Sequence, residues 1–141
     1  MISDFRGAYA FLSNFYLAPT PIDGEVYLTS EHAFQAMKSA DPAYRVSVLR
    51  APTPGQAKRL GRAVALRADW EAVKIDVMRD VVRAKFRHNP DLAAQLLATG
   101  DQELVEGNAW GDKFWGVCAG RGRNWLGKIL MEVRAELRGR T

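Results

Sequence analysis

Residues 30–38 have the sequence SEHAFQAMK, a stretch that predicts a short amphipathic helix. Ser30 has a side chain that suits the N-cap position, and Glu31 places a negative charge in the first turn, where the helix dipole favours it. The polar side of this helix carries the chemically versatile residues. Its apolar side comprises Ala33, Phe34, Ala36, Met37 and Ala40.

Glu31, Gln35 and Lys38 are separated by four and three residues, so they share one face of the predicted helix. By spacing alone, this pattern favours a stripe that faces solvent. The alternative is a pocket in which the three groups converge. There a glutamate can act as a general base or stabilise an oxocarbenium-like charge. A lysine can pair with a phosphate, or form a Schiff base with a sugar aldehyde if its pKa is lowered.

The elements around this helix are indicated by turn and cap signals. Asp23-Gly24 predicts the turn of a short hairpin between residues 21–22 and 26–28. Trp70 begins an apolar helical stripe and is assigned to the core. Further helices are predicted to open at Asp41-Pro42 and to span residues 53–62, 70–87, 91–98 and 124–137, with Asp69 as a cap. The predicted fold class is therefore mainly α (α+β), multihelical with a small β component.

Residues 104–118 have no helical period and are predicted to form strand and loop. Their centre, residues 106–116, has the sequence EGNAWGDKFWG. Glycine lets the backbone approach a ligand, and tryptophan offers a flat face for a base or a sugar pocket. Asn108 and Asp112 add hydrogen-bonding groups. A packed β-turn with structural tryptophans is the alternative, but this density of Trp, Gly, Asn and Asp favours a binding function.

The composition indicates one globular domain over residues 1–141, because 48% hydrophobic and 26% charged residues are ordinary values for that class. Cys118 is the only cysteine, and His32 and His88 are the only histidines, so no metal site is expected. No apolar run is long enough for a membrane helix, and residues 1–6 lack the apolar region of a signal peptide. We therefore expect a cytoplasmic protein.

The formal net charge is +4, from 20 Lys and Arg against 16 Asp and Glu. Such a mild excess permits an anionic ligand or a nucleic acid but requires neither. The basic residues are scattered along the chain. A general nucleic-acid-binding protein, whose affinity would depend strongly on salt, is therefore the least favoured function.

Several motifs follow one another along nearly the whole chain. They are FLSNF at 11–15, SEHAFQAMK at 30–38, AKRLGR at 57–62, GNAWGD at 107–112, FWG at 114–116 and GRNWLG at 122–127. In this order they resemble the NADAR family, also called YbiA-like, and the combination is far more specific than any single motif. The resemblance implies a small, mainly helical domain that hydrolyses N-glycosidic bonds between a ribose-type sugar and a nitrogen, and no cofactor is expected.

The resemblance implies two substrate classes, both with a phosphate next to an N-linked ribose. One branch of the family removes ADP-ribose from guanine in nucleic acid, and we favour this substrate. Another branch cleaves early riboflavin-pathway intermediates, cutting ribose 5-phosphate from an aminopyrimidine. A non-catalytic protein that binds ADP-ribose or another NAD-derived nucleotide is a third possibility, against which the presence of both Glu31 and Lys38 argues. The motifs indicate no particular oligomeric state.

Roles for individual residues also follow from the resemblance. Glu31 matches the catalytic glutamate of the family. Lys38 matches its motif lysine, which would form a Schiff base with the opened sugar or hold charge in the transition state. Gln35 is expected to hydrogen-bond the sugar. Arg6 and Arg62 are expected to contact phosphate, and the pocket is expected to be lined by Asn14, Phe15, Asn108, Trp110, Asp112, Trp115 and Asn124.

Overall fold

The computed structural model describes residues 1–139, and the chain divides into two compact units. The central unit comprises residues 14–89, and the terminal unit comprises Met1–Ser13 together with Pro90–Thr141, of which residues 140 and 141 lie outside the described part. That residues 1–141 form one domain stays a prediction. Within residues 1–139, no helix has the length and apolar character that crossing a membrane requires.

The central unit is a hairpin followed by helices. Strands β1 (Thr20–Ile22) and β2 (Glu25–Tyr27) pair antiparallel. Between them, Asp23 and Gly24 have φ values of 48° and 82°, and two positive values favour the type I′ turn that suits the twist of paired strands. The predicted hairpin is therefore confirmed. The helices are α1 (Ser30–Ala36), α2 (Pro42–Arg50), α3 (Pro54–Ala63) and α4 (Trp70–His88).

Side-chain caps determine where three of these helices begin. Thr29 caps α1, because its Oγ1 accepts a hydrogen bond from the backbone N–H of His32 at 3.1 Å. The prediction that Ser30 is the cap is wrong by one residue, since Ser30 is already helical. Asp41 and Thr53 cap α2 and α3 as predicted, and each is followed by a proline in the first turn.

Helix α1 is the centre of the central unit. It contacts α2, α3, α4 and both strands of the hairpin, and all of its residues are buried. Phe34 packs against Trp70 with ring centroids 5.2 Å apart, which confirms that Trp70 belongs to the core. Asp69 precedes α4 as predicted, but its carboxylate makes no cap bond and instead pairs with Arg67 at 2.6 Å.

His32 connects α1 to the end of α2. Its Nε2 lies 2.9 Å from the carbonyl oxygen of Ala51, and its Nδ1 lies 2.7 Å from Oγ1 of Thr29. Because a carbonyl oxygen only accepts, Nε2 carries the proton and Nδ1 accepts from the Thr29 hydroxyl. Burial lowers the pKa of His32, which favours this neutral imidazole.

The terminal unit combines helices with a very short parallel sheet. It contains a 3-10 helix (Gly7–Leu12), β3 (Gly107–Asn108) paired with β4 (Val117–Cys118), and helices α5 (Pro90–Ala98) and α6 (Trp125–Arg138), which contact each other. The predicted fold class, mainly α with a small β component, is confirmed. The last two helices begin and end within one residue of their predicted bounds.

We expect Thr29→Ala to destabilise the protein more than Thr53→Ala. Both threonines cap a helix, but Thr29 is buried and also bonds the His32 ring, whereas the Thr53 cap is exposed. The free energy of unfolding should fall by about 2 kcal/mol for Thr29→Ala and about 1 kcal/mol for Thr53→Ala. Urea unfolding followed by circular dichroism measures both, and equal losses would mean that the ring contact contributes nothing.

Candidate active site

Glu31 and Gln35 meet one turn apart on α1. The Gln35 side chain donates a hydrogen bond from Nε2 to Oε2 of Glu31 at 2.9 Å. Only 9% of Glu31 and 3% of Gln35 is exposed, so the interpretation of this face as a solvent-facing stripe is wrong. Burying a carboxylate is costly unless hydrogen bonds replace its water, and the Gln35 amide supplies one such bond.

Lys38 reaches the same side of the unit from a turn rather than from the helix itself. Helix α1 ends at Ala36, so the expectation that one helical face carries all three residues holds only for the first two. The side chain of Lys38 is partly buried, and its Nζ donates to the carbonyl oxygen of Gly61 on α3 at 3.4 Å. The turn therefore directs the amine of Lys38 towards α3.

Two contacts hold the turn that carries Lys38. The hydroxyl of Tyr44 donates to the carbonyl oxygen of Gln35 at 2.7 Å, and that oxygen also accepts from the backbone N–H of Lys38 at 3.2 Å. Burial raises the pKa of Tyr44 to about 12, so the phenol stays protonated and remains a donor. The backbone N–H of Arg67 donates to the carbonyl oxygen of Lys38 at 2.8 Å, which fixes the other end of the turn.

The electrostatic surroundings of Lys38 lower the pKa of its amine. Burial is the largest cause, and the positive charges of Lys58 and Arg62 act in the same direction, whereas the carboxylate of Glu31 opposes them. A lowered pKa increases the fraction of neutral, nucleophilic amine. Schiff-base chemistry at Lys38 requires such a shift.

Lys58 is one of the charged residues that act on Lys38. It was not among the site residues predicted from the sequence. It lies on α3 four residues before Arg62, so the two share a helix face. Its position in the AKRLGR motif was the available signal. The Lys58 ammonium also lies 5.9 Å from the ring centroid of Phe15, which is 45% exposed, a distance compatible with a cation–π contact.

Asn14 anchors the beginning of α1. Its carbonyl oxygen accepts from the backbone N–H of Glu31 at 3.0 Å, and its Oδ1 accepts from the hydroxyl of Ser30 at 2.8 Å. Its Nδ2 lies 3.4 Å from Sδ of Met78. These contacts give Asn14 a role in positioning Glu31, and its expected contact with substrate stays a prediction.

The aromatic segment, residues 106–116 of the terminal unit, is closed by its own polar side chains. Oδ1 of Asn108 accepts from the backbone N–H of Asp112 at 3.0 Å, and Nδ2 of Asn108 donates to the carbonyl oxygen of Asp112 at 2.8 Å. Oδ1 of Asp112 accepts from the backbone N–H groups of Phe114 and Trp115 at 3.0 and 2.9 Å. Asn108 and Asp112 therefore shape the loop.

The two tryptophans of the aromatic segment differ in exposure. Trp110 is 62% exposed and presents its indole to solvent. Trp115 is only partly exposed, and its ring meets Phe114 edge-on with centroids 4.7 Å apart. The sequence predicts that this segment stacks on a base. Trp110 is better suited to that role than Trp115, which combines packing with partial exposure.

Asn124 supports the base of the aromatic segment. Its backbone is left-handed, with φ of 54°. Its Oδ1 accepts from the N–H of Glu106 at 3.0 Å, and its Nδ2 donates to the carbonyl oxygen of Leu104 at 2.9 Å. Gly127 allows this approach, because a β-carbon there would overlap the Leu104 carbonyl and the Asn124 side chain. The expected contact of Asn124 with substrate stays a prediction.

No group of three or more His, Cys, Asp or Glu among residues 1–139 is arranged to hold a metal ion.

The predicted site residues divide between the two units. Arg6 is exposed at the start of the 3-10 helix. The terminal unit contains Arg6, Asn108, Trp110, Asp112, Trp115 and Asn124, and the central unit contains Asn14, Phe15, Glu31, Gln35, Lys38 and Arg62.

The NADAR domain model matches residues 4–138, so the chain belongs to the NADAR family. The chain is 45% identical to N-glycosidase YbiA of Escherichia coli over 132 residues, which covers 92% of this chain and 82% of that protein. It is 47% identical to a riboflavin biosynthesis protein of Vibrio vulnificus, covering 92% of this chain and 36% of that protein. The family expected from the motifs is confirmed.

The NMR structure of the E. coli protein YbiA is also similar to the present structure. The TM-score is 0.88 at 42% sequence identity, and the match covers 99% of this chain and 86% of that chain. This similarity confirms the YbiA-like fold that the motifs imply.

Two substitutions should move the pKa of Lys38 in opposite directions. Glu31→Gln removes a negative charge that favours the protonated amine, so the pKa should fall further. Lys58→Met removes a positive charge that disfavours protonation, so the pKa should rise. The pH dependence of Lys38 acetylation, followed by mass spectrometry, measures both shifts.

Lys74→Met is the matched control for this titration. Lys74 lies on α4, where it pairs with Glu71 at 2.6 Å, and it is not among the charges that act on Lys38. The control should leave the pKa of Lys38 unchanged. Shifts of the same sign in Glu31→Gln and Lys58→Met would contradict the proposed charge balance.

Proposed function

We propose that the protein hydrolyses the bond between a phosphorylated ribose and a nitrogen, and that its preferred substrate is ADP-ribose linked to guanine in nucleic acid. The chain is an enzyme that acts on N-glycosyl bonds, as a member of the NADAR family with a close relative named an N-glycosidase. The identity of the sugar phosphate and of the base is the part that we propose.

One observation carries the proposal: a buried carboxylate, Glu31, shares its surroundings with an amine of lowered pKa, Lys38. Cleavage of an N-glycosidic bond develops positive charge at the anomeric carbon. A carboxylate held in advance by Gln35 stabilises that charge, or activates the attacking water, without first having to reorganise. Glu31 is therefore proposed as the catalytic carboxylate.

Lys38 is proposed to act on the sugar in one of two ways. As a neutral amine, it displaces the base from the anomeric carbon. The amine lone pair forms the new C–N bond, and the electrons of the old bond leave with the base, which takes up a proton. Ring opening gives an imine, which water hydrolyses to restore the amine. As an ammonium, Lys38 instead holds charge in the transition state, and the lowered pKa favours the first role.

The charges near Glu31 and Lys38 favour a phosphorylated sugar. Lys58 and Arg62 act electrostatically on Lys38 from one face of α3, and such a group of cations suits an anionic substrate. Arg62 is proposed to contact phosphate, with Arg6 as a further candidate. Gln35 is proposed to hydrogen-bond the ribose. In the terminal unit, taken by itself, the exposed indole of Trp110 is a flat face of the kind on which bases stack.

Early intermediates of riboflavin synthesis are the second candidate substrate. The Vibrio vulnificus relative, 47% identical over 132 residues, is named a riboflavin biosynthesis protein. Such an intermediate carries the same phosphorylated, N-linked ribose, with an aminopyrimidine in place of guanine. The roles of Glu31 and Lys38 are the same for both substrates, so only the base-binding contacts differ.

Glu31→Gln should preserve the fold and lower the rate of ADP-ribose release from ADP-ribosylated guanine DNA by about 1000-fold. Glutamine keeps the size of the side chain but removes the charge. Released ADP-ribose is measured by chromatography, and Glu71→Gln, an exposed carboxylate on α4, should retain full activity. Normal turnover by Glu31→Gln would refute its role, whereas wild-type binding without release would indicate a non-catalytic ADP-ribose-binding protein.

Borohydride should trap a covalent adduct between Lys38 and the sugar during turnover. Reduction converts an imine into a stable amine, which mass spectrometry locates on the peptide that contains Lys38. Lys38→Arg cannot form the imine and is the control. Turnover without any adduct would refute the Schiff base and leave Lys38 with an electrostatic role.

A further inference from the structure

We infer that Gly61 is a positioning residue of the candidate active site: its missing side chain leaves the space in which the Gln35 carboxamide sits beside both Glu31 and the Lys38 amine. This inference rests on the proposed roles of Glu31 and Lys38. It assigns a function to a residue of α3 that does not itself touch the substrate.

The space at Gly61 is occupied by its neighbours. A β-carbon built on Gly61 would overlap Oε1 of Gln35 and would lie 2.7 Å from Cδ of Gln35 and 3.3 Å from Nζ of Lys38. The first two contacts are too short for any real side chain, so the carboxamide would have to move. The third shows that the amine of Lys38 borders the same small volume.

The backbone of α3 gives no reason for a glycine at this position. Gly61 lies inside the helix and is not among the residues with positive φ. An alanine inside a helix is normally more favourable than a glycine. The neighbouring Gln35 side chain, rather than the helix, therefore accounts for the glycine.

The orientation of the Gln35 carboxamide is determined by one hydrogen bond and by the space at Gly61. Nε2 donates to Oε2 of Glu31 at 2.9 Å, which directs Oε1 towards Gly61. This Oε1 is buried and has no hydrogen-bond partner within the described chain, which is an unfavourable arrangement for a polar atom. The acceptor is thus left beside the Lys38 amine, which already donates to the Gly61 carbonyl at 3.4 Å.

Gly61 therefore organises both reactive groups through one carboxamide. With a methyl group at position 61, the amide of Gln35 would rotate or withdraw. Glu31 would then lose a donor that holds its carboxylate, and Lys38 would lose a nearby oxygen that favours its protonated form. Small displacements of reacting groups cost about 100-fold in rate.

The direct test compares Gly61→Ala with Gly55→Ala. Both glycines lie on α3, but a β-carbon on Gly55 would meet only Oγ1 of Thr53, at 3.9 Å. We expect Gly61→Ala to lower kcat for ADP-ribose release by about 100-fold, and Gly55→Ala to behave as wild type. Wild-type kcat in Gly61→Ala would overturn the inference.

A double-variant cycle then tests whether the effect acts through Gln35. In a Gln35→Ala background the obstructing carboxamide is gone, so adding Gly61→Ala should change kcat and the unfolding midpoint very little. If Gly61→Ala alone is too unstable to assay, the unfolding midpoints of Gln35→Ala and of the double variant give the same comparison. An equally large loss from Gly61→Ala in both backgrounds would overturn the inference.

A third measurement does not depend on the proposed reaction. The pH dependence of Lys38 acetylation should show a lower pKa in Gly61→Ala than in wild type, because an oxygen that favours the ammonium has moved away. Gly55→Ala should show no change, and an unchanged pKa in Gly61→Ala would overturn the inference. If the wild type releases no ADP-ribose but the pKa still shifts, the proposed substrate is wrong and the positioning role of Gly61 stands.

Discussion

Helix α1 places a carboxylate and a carboxamide inside the protein, and the rest of the central unit is arranged around that constraint. Every residue of α1 is buried, so each polar group on it needs a partner. The carbonyl oxygen of Asn14 accepts from the N–H of Glu31, and Thr29 caps the helix and bonds His32. Tyr44 donates to the Gln35 carbonyl, which also accepts from the N–H of Lys38. The same contacts that satisfy the helix also fix the position of Glu31.

This arrangement shows how a small protein can hold in place the groups that we propose to be reactive. Gln35 restrains the carboxylate of Glu31, and burial together with two neighbouring cations lowers the pKa of the Lys38 amine. Groups that are already oriented need no reorganisation during the reaction, which is the largest advantage of a preorganised site. Gly61 belongs to this arrangement because it leaves room for the carboxamide that links the two groups.

Much of the fold was predictable, because local signals determine where its elements begin. Asp23-Gly24 has the backbone of a type I′ turn, and Asp41 and Thr53 cap their helices as expected. The burial of Glu31 and Gln35 was not predictable from spacing, since a polar helix face pairs equally well with water or with other side chains. Only the resemblance of the motifs to the NADAR family favoured a buried, functional face. The use of the space at Gly61 and the effect of the Lys58 charge on Lys38 depend on how α3 packs beside α1 and the turn that follows it. These segments are distant in sequence.

The central proposal is that Glu31, which is buried, and Lys38, which is partly buried, together cleave the bond between a phosphorylated ribose and a nitrogen. A side-by-side hydrolysis assay tests it most directly, with the wild-type protein offered ADP-ribosylated guanine DNA and, separately, the early riboflavin intermediates. Free sugar phosphate and free base are quantified by chromatography. The account predicts that the protein releases ADP-ribose from guanine faster than it cleaves the riboflavin intermediates. If the protein released sugar phosphate from neither substrate, the account would be contradicted.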